Sequence, residues 1–372
     1  MLLTSSKSLA ENRIDTVVHF YYSRIIVSRE RLKMRGKQLF ILSVVATLGS
    51  VGAENKPISL FSAGSTFIYP ILGRWCTEYH KLHPQVQISY EPVGSSHGIA
   101  RTVAGTVDFG ASDGPLSDLQ IQHAAKKIVH VPVVLGAVVP SYNLPGIKHE
   151  VRFTPAALAG IYLGKITRWN DPELVRVNPD LHLPAHGITV IFRADGRGTT
   201  YIWTDYLSKT SQEWSKRIGR GTSVEFPVGE GAQFNEGVRA LIKDEPYYVG
   251  YLQVTYAVEG HVQTGLVQNS VGNFVRADSG TITAAAAATA TNMPDDFRAS
   301  ITNSADEAAF PISSFTWLLV PEHIDDPNKR EAISAFLRWV LTDGQKFADP
   351  LHYAQLPRDV AGRVLKAVDR IH

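Results

Sequence analysis

The chain has 372 residues, 19% of them charged and 44% hydrophobic, with a formal net charge of +2. That length is enough for two domains with their own cores, and the composition excludes a disordered chain. One cysteine, Cys76, excludes an internal disulfide and a four-cysteine zinc site, and no H-E-x-x-H occurs among the 13 histidines.

The first legible segment is "MRGKQLFILSVVATLGSVGA", residues 34–53. Arg35 and Lys37 precede an apolar run, and Val51 and Ala53 stand at −3 and −1 of a cleavage point, the layout of a secretory signal peptide. Met34 is then the expected start, with residues 1–33 as upstream sequence. No cysteine follows Ala53, so no lipid anchor is expected and the protein should be free in the periplasm. Residues 1–53 hold eight of the 37 basic and three of the 35 acidic residues, leaving 29 against 32, a net of −3. A slightly acidic secreted chain carries no electrostatic footprint for nucleic acid.

From Glu54 onward strand-like and helix-like stretches alternate. "PISLFSAGS" is a short apolar run ended by glycine, "FIYPILGRWCTEYHKL" has helical spacing, and "VQISYEPVG" reads as the next strand. "HGIARTVAGT" reads as a helix, "VDFGAS" as a strand, and "IVHVPVVLGAVVPSYNLPG" as a long β-rich stretch. "VRFTPAALAGIYLGKITRW" opens a new helical unit, so residues 143–146 are a candidate crossing between lobes. The alanine run "TITAAAAATATN" predicts a helix. "AAFPISSFTWLLVP" is a second strand-like crossing, followed by the helix "KREAISAFLRWVLTDGQKFA". The alternation predicts an α/β fold with a mostly parallel sheet.

Four turns share one build: strand, small or hydroxyl residues, helix. They are "SAGSTFIYP", "PVGSSHG", "FGASDGPLS" and "RADGRGTT". In open α/β sheets ligands bind beyond the carboxyl ends of strands, where such turns lie, and a helix N-terminus offers unpaired N–H groups to an anion. Arg193 adds a forked cation, and Thr199 and Thr200 add hydroxyls. Two of the turns have a plainer reading as a capped helix entry, "RADGRGTT" with Asp195 as the N-cap and Arg193 paired on the surface, and "FGASDGPLS" with Asp113 as the N-cap. None ends in G-K-[ST], which disfavours a nucleoside triphosphate.

"AGSTF", "GSSHG", "TVDFGASDGPLSD", "IYLGKITRWND", "RADGRGTT" and "VGYLQVTYA" together resemble the phosphate-binding proteins of bacterial high-affinity phosphate ABC importers, over nearly the whole chain after Ser59. The resemblance implies a two-lobed periplasmic binding protein of class II type. Each lobe would be a mixed sheet flanked by helices, with phosphate in the cleft between them. It implies lobe I from residues 54–143 plus 309–372 and lobe II from 144–308, no cofactor or metal, and a monomer that delivers inorganic phosphate to membrane permease and ATPase subunits. It further implies that Ser65, Thr66 and Phe67 stand at the ligand, with amides and a hydroxyl from Thr66 and Phe67. Ser95 would donate, Asp113 would accept a ligand proton, Arg193 would make the ionic contact with Asp195 holding it, and Gly198 and Thr199 would supply amides and a hydroxyl. Arg197 replaces the family's serine, and is either exchangeable for it at little cost or a second cation in the cleft. Ser65 replaces an alanine and His97 a glycine, both expected at the rim.

A carboxylate beside an anion selects for a ligand able to donate a hydrogen bond, so Asp113 argues against sulfate, molybdate or tungstate. Two enzyme readings compete. "GSSHG" matches the nucleophile elbow of α/β-hydrolases with Ser96 as nucleophile, but only two strand-like runs precede it after the signal peptide. A phosphatase would want metal ligands or an in-line nucleophile, and the sequence shows neither cluster.

Overall fold

The structure, a computed structural model, describes residues 57–372; the expected signal peptide lies outside them. The chain begins with β1 (Ile58–Gly64), α1 (Tyr69–Leu82), β2 (Val86–Glu91), α2 (Ser95–Val103) and β3 (Phe109–Ser112). β1 pairs in parallel with β2 on one side and β3 on the other. The chain leaves β1 toward β2 on one side and then returns past it to β3 on the other. The strand order therefore reverses at β1, a switch point where a crevice opens beyond the carboxyl ends of the strands. Gly64 ends β1 at φ 148°, and the backbone of Ala111 lies so close that a Cβ there would overlap it. Only glycine lets β1 and β3 approach this closely at the crevice.

The next helix, α3 (Asp118–Gln122), starts with Ser117 and Gln120 in a capping box. Asp113 is thus not its N-cap. β4 (Ile128–Tyr142) follows as one strand of 15 residues, all buried. Then come β5 (Arg152–Phe153), α4 (Pro155–Tyr162), α5 (Pro172–Val175), β6 (Thr189–Arg193), α6 (Gly198–Thr210) and α7 (Gln212–Arg217). They are followed by β7 (Glu230–Ala232), α8 (Phe234–Asp244), β8 (Tyr248–Gln253), α9 (Val254–Glu259), β9 (Gln263–Thr264), β10 (Leu266–Gln268) and β11 (Phe274–Val275). α10 (Ser279–Ala287), β12 (Ser313–Pro321), α11 (Pro327–Leu341) and α12 (Arg358–Val368) complete the order.

The main sheet runs β2-β1-β3-β12-β4-β8-β6-β7, with β9 beside β4; β11-β10-β5 form a small second sheet. Its parallel pairs sit at the two ends, whereas β12, β4 and β8 in the middle pair antiparallel. The sheet is therefore mixed, not mostly parallel. β4 changes partner along its length: Ile128–Ala137 lie against β12 and Val138–Tyr142 against β8. The switch falls at Ala137/Val138, ahead of the turn at 143–146. Burial along the whole strand explains why its sequence is a continuous apolar run without alternation. The β12–β4 register shifts between Thr316 and Trp317, where Val133 of β4 is the extra, unpaired residue, a bulge in β4.

Candidate anion-binding site

Asp113, one residue past β3, is 1% exposed and is held by hydroxyls alone. Ser65 Oγ donates to its Oδ2 at 2.5 Å, Ser95 Oγ to the same oxygen at 3.2 Å, and Thr316 Oγ1 to Oδ1 at 2.8 Å. These donors come from the turn after β1, the start of α2 and the middle of β12. Burial pushes the carboxyl up to about 6, while the hydroxyls of Ser65, Thr316 and Ser95 and the charge of Arg193 pull it down. At neutral pH it is an acceptor without a balancing cation in contact.

The turn after β1 is held from behind. Tyr90 OH donates to the carbonyl of Ser65 at 2.6 Å and Tyr256 OH to that of Thr66 at 3.0 Å; Tyr353 OH donates to that of Phe67. Three consecutive carbonyls are thereby fixed by tyrosines from β2, α9 and the segment before α12. Ser65, expected at the rim, is fully buried, and its Oγ accepts from the amide of Phe67 at 3.0 Å. That amide, which the resemblance gives to a ligand, is engaged by Ser65 here. His97 is exposed, as a rim position would be.

The opposite wall is the β6–α6 turn. Arg193 Nε and Nη2 donate to Asp195 Oδ1 and Oδ2 at 2.8 and 3.0 Å, a two-point pair with the Arg193 side chain fully buried. Arg197 Nε donates to Asp195 Oδ2 at 2.5 Å, and the amide of Phe234 donates to that oxygen at 3.1 Å. Burial works against the charge of Asp195, but the hydrogen bonds and charges of Arg193 and Arg197 overcome it and hold the carboxyl below its ordinary value. Asp195 is therefore not the N-cap of α6, and Arg193 is not a surface residue. The backbone amide of Arg193 donates to Tyr251 OH, which also bonds Thr200 Oγ1, so Thr200 is committed to the core.

Three polar atoms of this one turn are buried without a hydrogen-bond partner: Arg193 Nη1, Arg197 Nη1 and Thr199 Oγ1. The first helical bond of α6 runs from Tyr201 N to Arg197 O, so the amides of Gly198, Thr199 and Thr200 lie ahead of it. Gly198 faces Asp113 and Ser95 so closely that a Cβ at 198 would overlap Asp113 Oδ2 and Ser95 Oγ. Ser96 Oγ donates to Gly196 O at 2.8 Å and, 2.9 Å from Thr222 Oγ1, can accept from that hydroxyl, so it ties the walls together and is no nucleophile elbow. A wall of donors thus faces one carboxylate.

Residues 50–344 match the PBP superfamily domain. The chain is 36% identical to the phosphate-binding protein PstS of Xylella fastidiosa over 84% of this chain and 85% of that protein. It is 36% identical to PstS of Haemophilus influenzae over 89% and 97%. The chain belongs to the PstS family. The fold is also that of a putative phosphate ABC transporter substrate-binding protein with bound phosphate from Clostridium perfringens, with a TM-score of 0.57 and 17% identity over 80% of this chain and all of that one. It is the α/β fold of periplasmic binding proteins.

Ser65, Thr66, Phe67, Ser95, Asp113, Arg193, Asp195, Arg197, Gly198 and Thr199 thus all lie on the two facing walls. Sequence reasoning missed Thr316, Phe234 and the tyrosines behind the β1 turn. A lone threonine inside the buried run "SSFTWLLVP" was the available signal for Thr316, since a buried hydroxyl needs a partner. Phe234 offered none.

Proposed function

We propose that inorganic phosphate binds between these walls. One oxygen would donate its proton to Asp113, and the others would accept from Arg193, Arg197, Thr199, the first amides of α6 and Ser95. The chain is the phosphate-binding component of a phosphate ABC transporter and a binding protein, not an enzyme. Membrane permease and ATPase subunits would receive its ligand. We place it in the periplasm after cleavage at Ala53, as a monomer without a lipid anchor; among the described residues no helix is long and apolar enough to cross a membrane. The stretches 54–143 plus 309–372 and 144–308 would be the two lobes; the partner change in β4 at Ala137/Val138 falls inside the first stretch, shortly before its end at 143.

The observation that carries the ligand assignment is the pairing of a donor wall with one buried carboxylate. An anion that is bare on three oxygens and protonated on the fourth satisfies both; sulfate would set a lone pair against Asp113. Titrating phosphate and sulfate by tryptophan fluorescence should give a phosphate preference of orders of magnitude. Equal affinities would overturn the assignment, and phosphate ester hydrolysis would point to a phosphatase.

A further inference from the structure

We infer that Phe234 is a positioning residue that holds Arg197 as a second cation of the anion site. The inference rests on the phosphate reading above. Phe234 begins α8 with φ 59°, a backbone region that disfavours a bulky side chain, and it is 43% exposed. From that conformation it acts twice on the opposite wall. Its amide donates to Asp195 Oδ2 at 3.1 Å, and its ring lies 4.9 Å from the Arg197 guanidinium carbon. Glycine or asparagine would take this φ at less cost. What phenylalanine adds is the ring. A local rule broken at one point in a site signals a use for the residue there.

Arg197 has reason to need holding. Its side chain is 7% exposed, with Nε on Asp195 Oδ2. Its Nη1 is buried without a partner and lies against Gly94, one residue before Ser95; a Cβ at Gly94 would overlap the guanidinium. A free arginine here would swing into water, where its charge is well solvated. The ring of Phe234 attracts the guanidinium and removes water from it, and Asp195 fixes its Nε. Nη1 is left to an anion. Asp195 thus serves two guanidiniums, and Phe234 touches both the carboxylate and the second cation.

The test is a double-mutant cycle read by calorimetric titration of inorganic phosphate into the full-length protein at two salt concentrations, with thermal unfolding as a folding check. Arg197→Ser should weaken binding roughly 10- to 100-fold, the scale of a charge-assisted hydrogen bond, and flatten the salt dependence. Phe234→Gly, which keeps the backbone, should weaken it about 3- to 10-fold. Phe234→Tyr, which keeps the ring, should restore most of that loss. In the Arg197→Ser background Phe234→Gly should cost about nothing. An equal loss from Phe234→Gly in both backgrounds would make Phe234 merely structural, and an unchanged affinity for Arg197→Ser would remove the second cation; either overturns the inference. Phe234→Asn, which also accepts this φ, replaces Phe234→Gly if that variant unfolds. A folded parent that takes up no phosphate would overturn the phosphate reading, and this inference with it.

Discussion

Asp113, fully buried, and Asp195, a half-buried residue whose side chain is only 5% exposed, stand on facing walls of one site, and their carboxyls are shifted in opposite directions. Asp195 is ringed by two guanidiniums and an amide, and its carboxyl sits below the ordinary value. Asp113 has three hydroxyl donors in contact and no cation, and its carboxyl rises to about 6. Neutral hydroxyls replace only part of the water that burial removes, whereas contact with opposite charge more than replaces it. The first carboxylate is fixed scaffolding for cations. The second remains responsive near neutral pH, as suits a group that must accept a proton from an arriving ligand.

The sharpest way to break the contrast is to remove the scaffolding. Asp195→Ala leaves Arg193 and Arg197 buried side by side without their shared partner. It should destabilise the protein by about 3–5 kcal/mol, the cost of breaking a buried pair. Urea unfolding would measure it, and a change below about 1 kcal/mol would mean that the guanidiniums escape to water.

Asp113→Asn should do the reverse to stability. The folded carboxyl titrates near 6 against an ordinary 3.8. Between those values the unfolded chain has released a proton that the folded chain still holds, so stability falls as pH rises through this window. Above it the penalty is about 3 kcal/mol at full size. Asparagine has no such charge to bury, so the ligand-free variant should be more stable at neutral pH by up to that amount, with a flatter profile from about pH 4 to 6. Its phosphate-to-sulfate affinity ratio should fall at least about tenfold, or 1.4 kcal/mol, because the amide can donate to sulfate. A protein that became no more stable, at an unchanged ratio, would place Asp113 away from the ligand and make its burial inexpensive.

Arg193→Ala tests the cationic wall by affinity. It should weaken phosphate binding by roughly 1.5–3 kcal/mol, with part of the loss recovered in Arg193→Lys, which keeps charge without the fork. Unchanged calorimetry would leave Arg193 a purely structural partner of Asp195.

The two walls also differed in how far sequence could reach them. The four strand–turn–helix junctions were legible because small and hydroxyl residues cluster after apolar runs, and each is where a helix starts or a strand ends. The roles of Asp113 and Asp195 were ambiguous, since an aspartate before a helix reads equally as a cap. Tertiary partners decided it: Thr316 lies 203 residues from Asp113, and Phe234 lies 39 from Asp195. The change of partner in β4 was invisible because a strand buried on both faces reads the same whichever neighbour it has. Ser65 was misplaced to the rim because a serine among "SAGST" looks like every other turn residue until its neighbour Asp113 is known.

Ser65 supplies the smallest and most discriminating test. Ser65→Ala removes one of the three hydroxyls on Asp113 and the acceptor of the Phe67 amide. The first loss lets the carboxyl climb further above about 6. The second leaves a buried N–H free for a ligand oxygen, worth about 1 kcal/mol if the ligand takes it. At about pH 8 Asp113 is ionised in both proteins, so the variant should bind phosphate as well as the parent or up to about fivefold better. At about pH 6 more of its Asp113 is protonated, and it should bind more weakly than the parent. The two pH profiles should therefore cross. A uniform loss at both pH values would mean that the Ser65 hydroxyl itself contacts phosphate. Asp113 would then share the ligand with one of its own donors, and the contrast between a responsive and a fixed carboxylate would rest on burial alone.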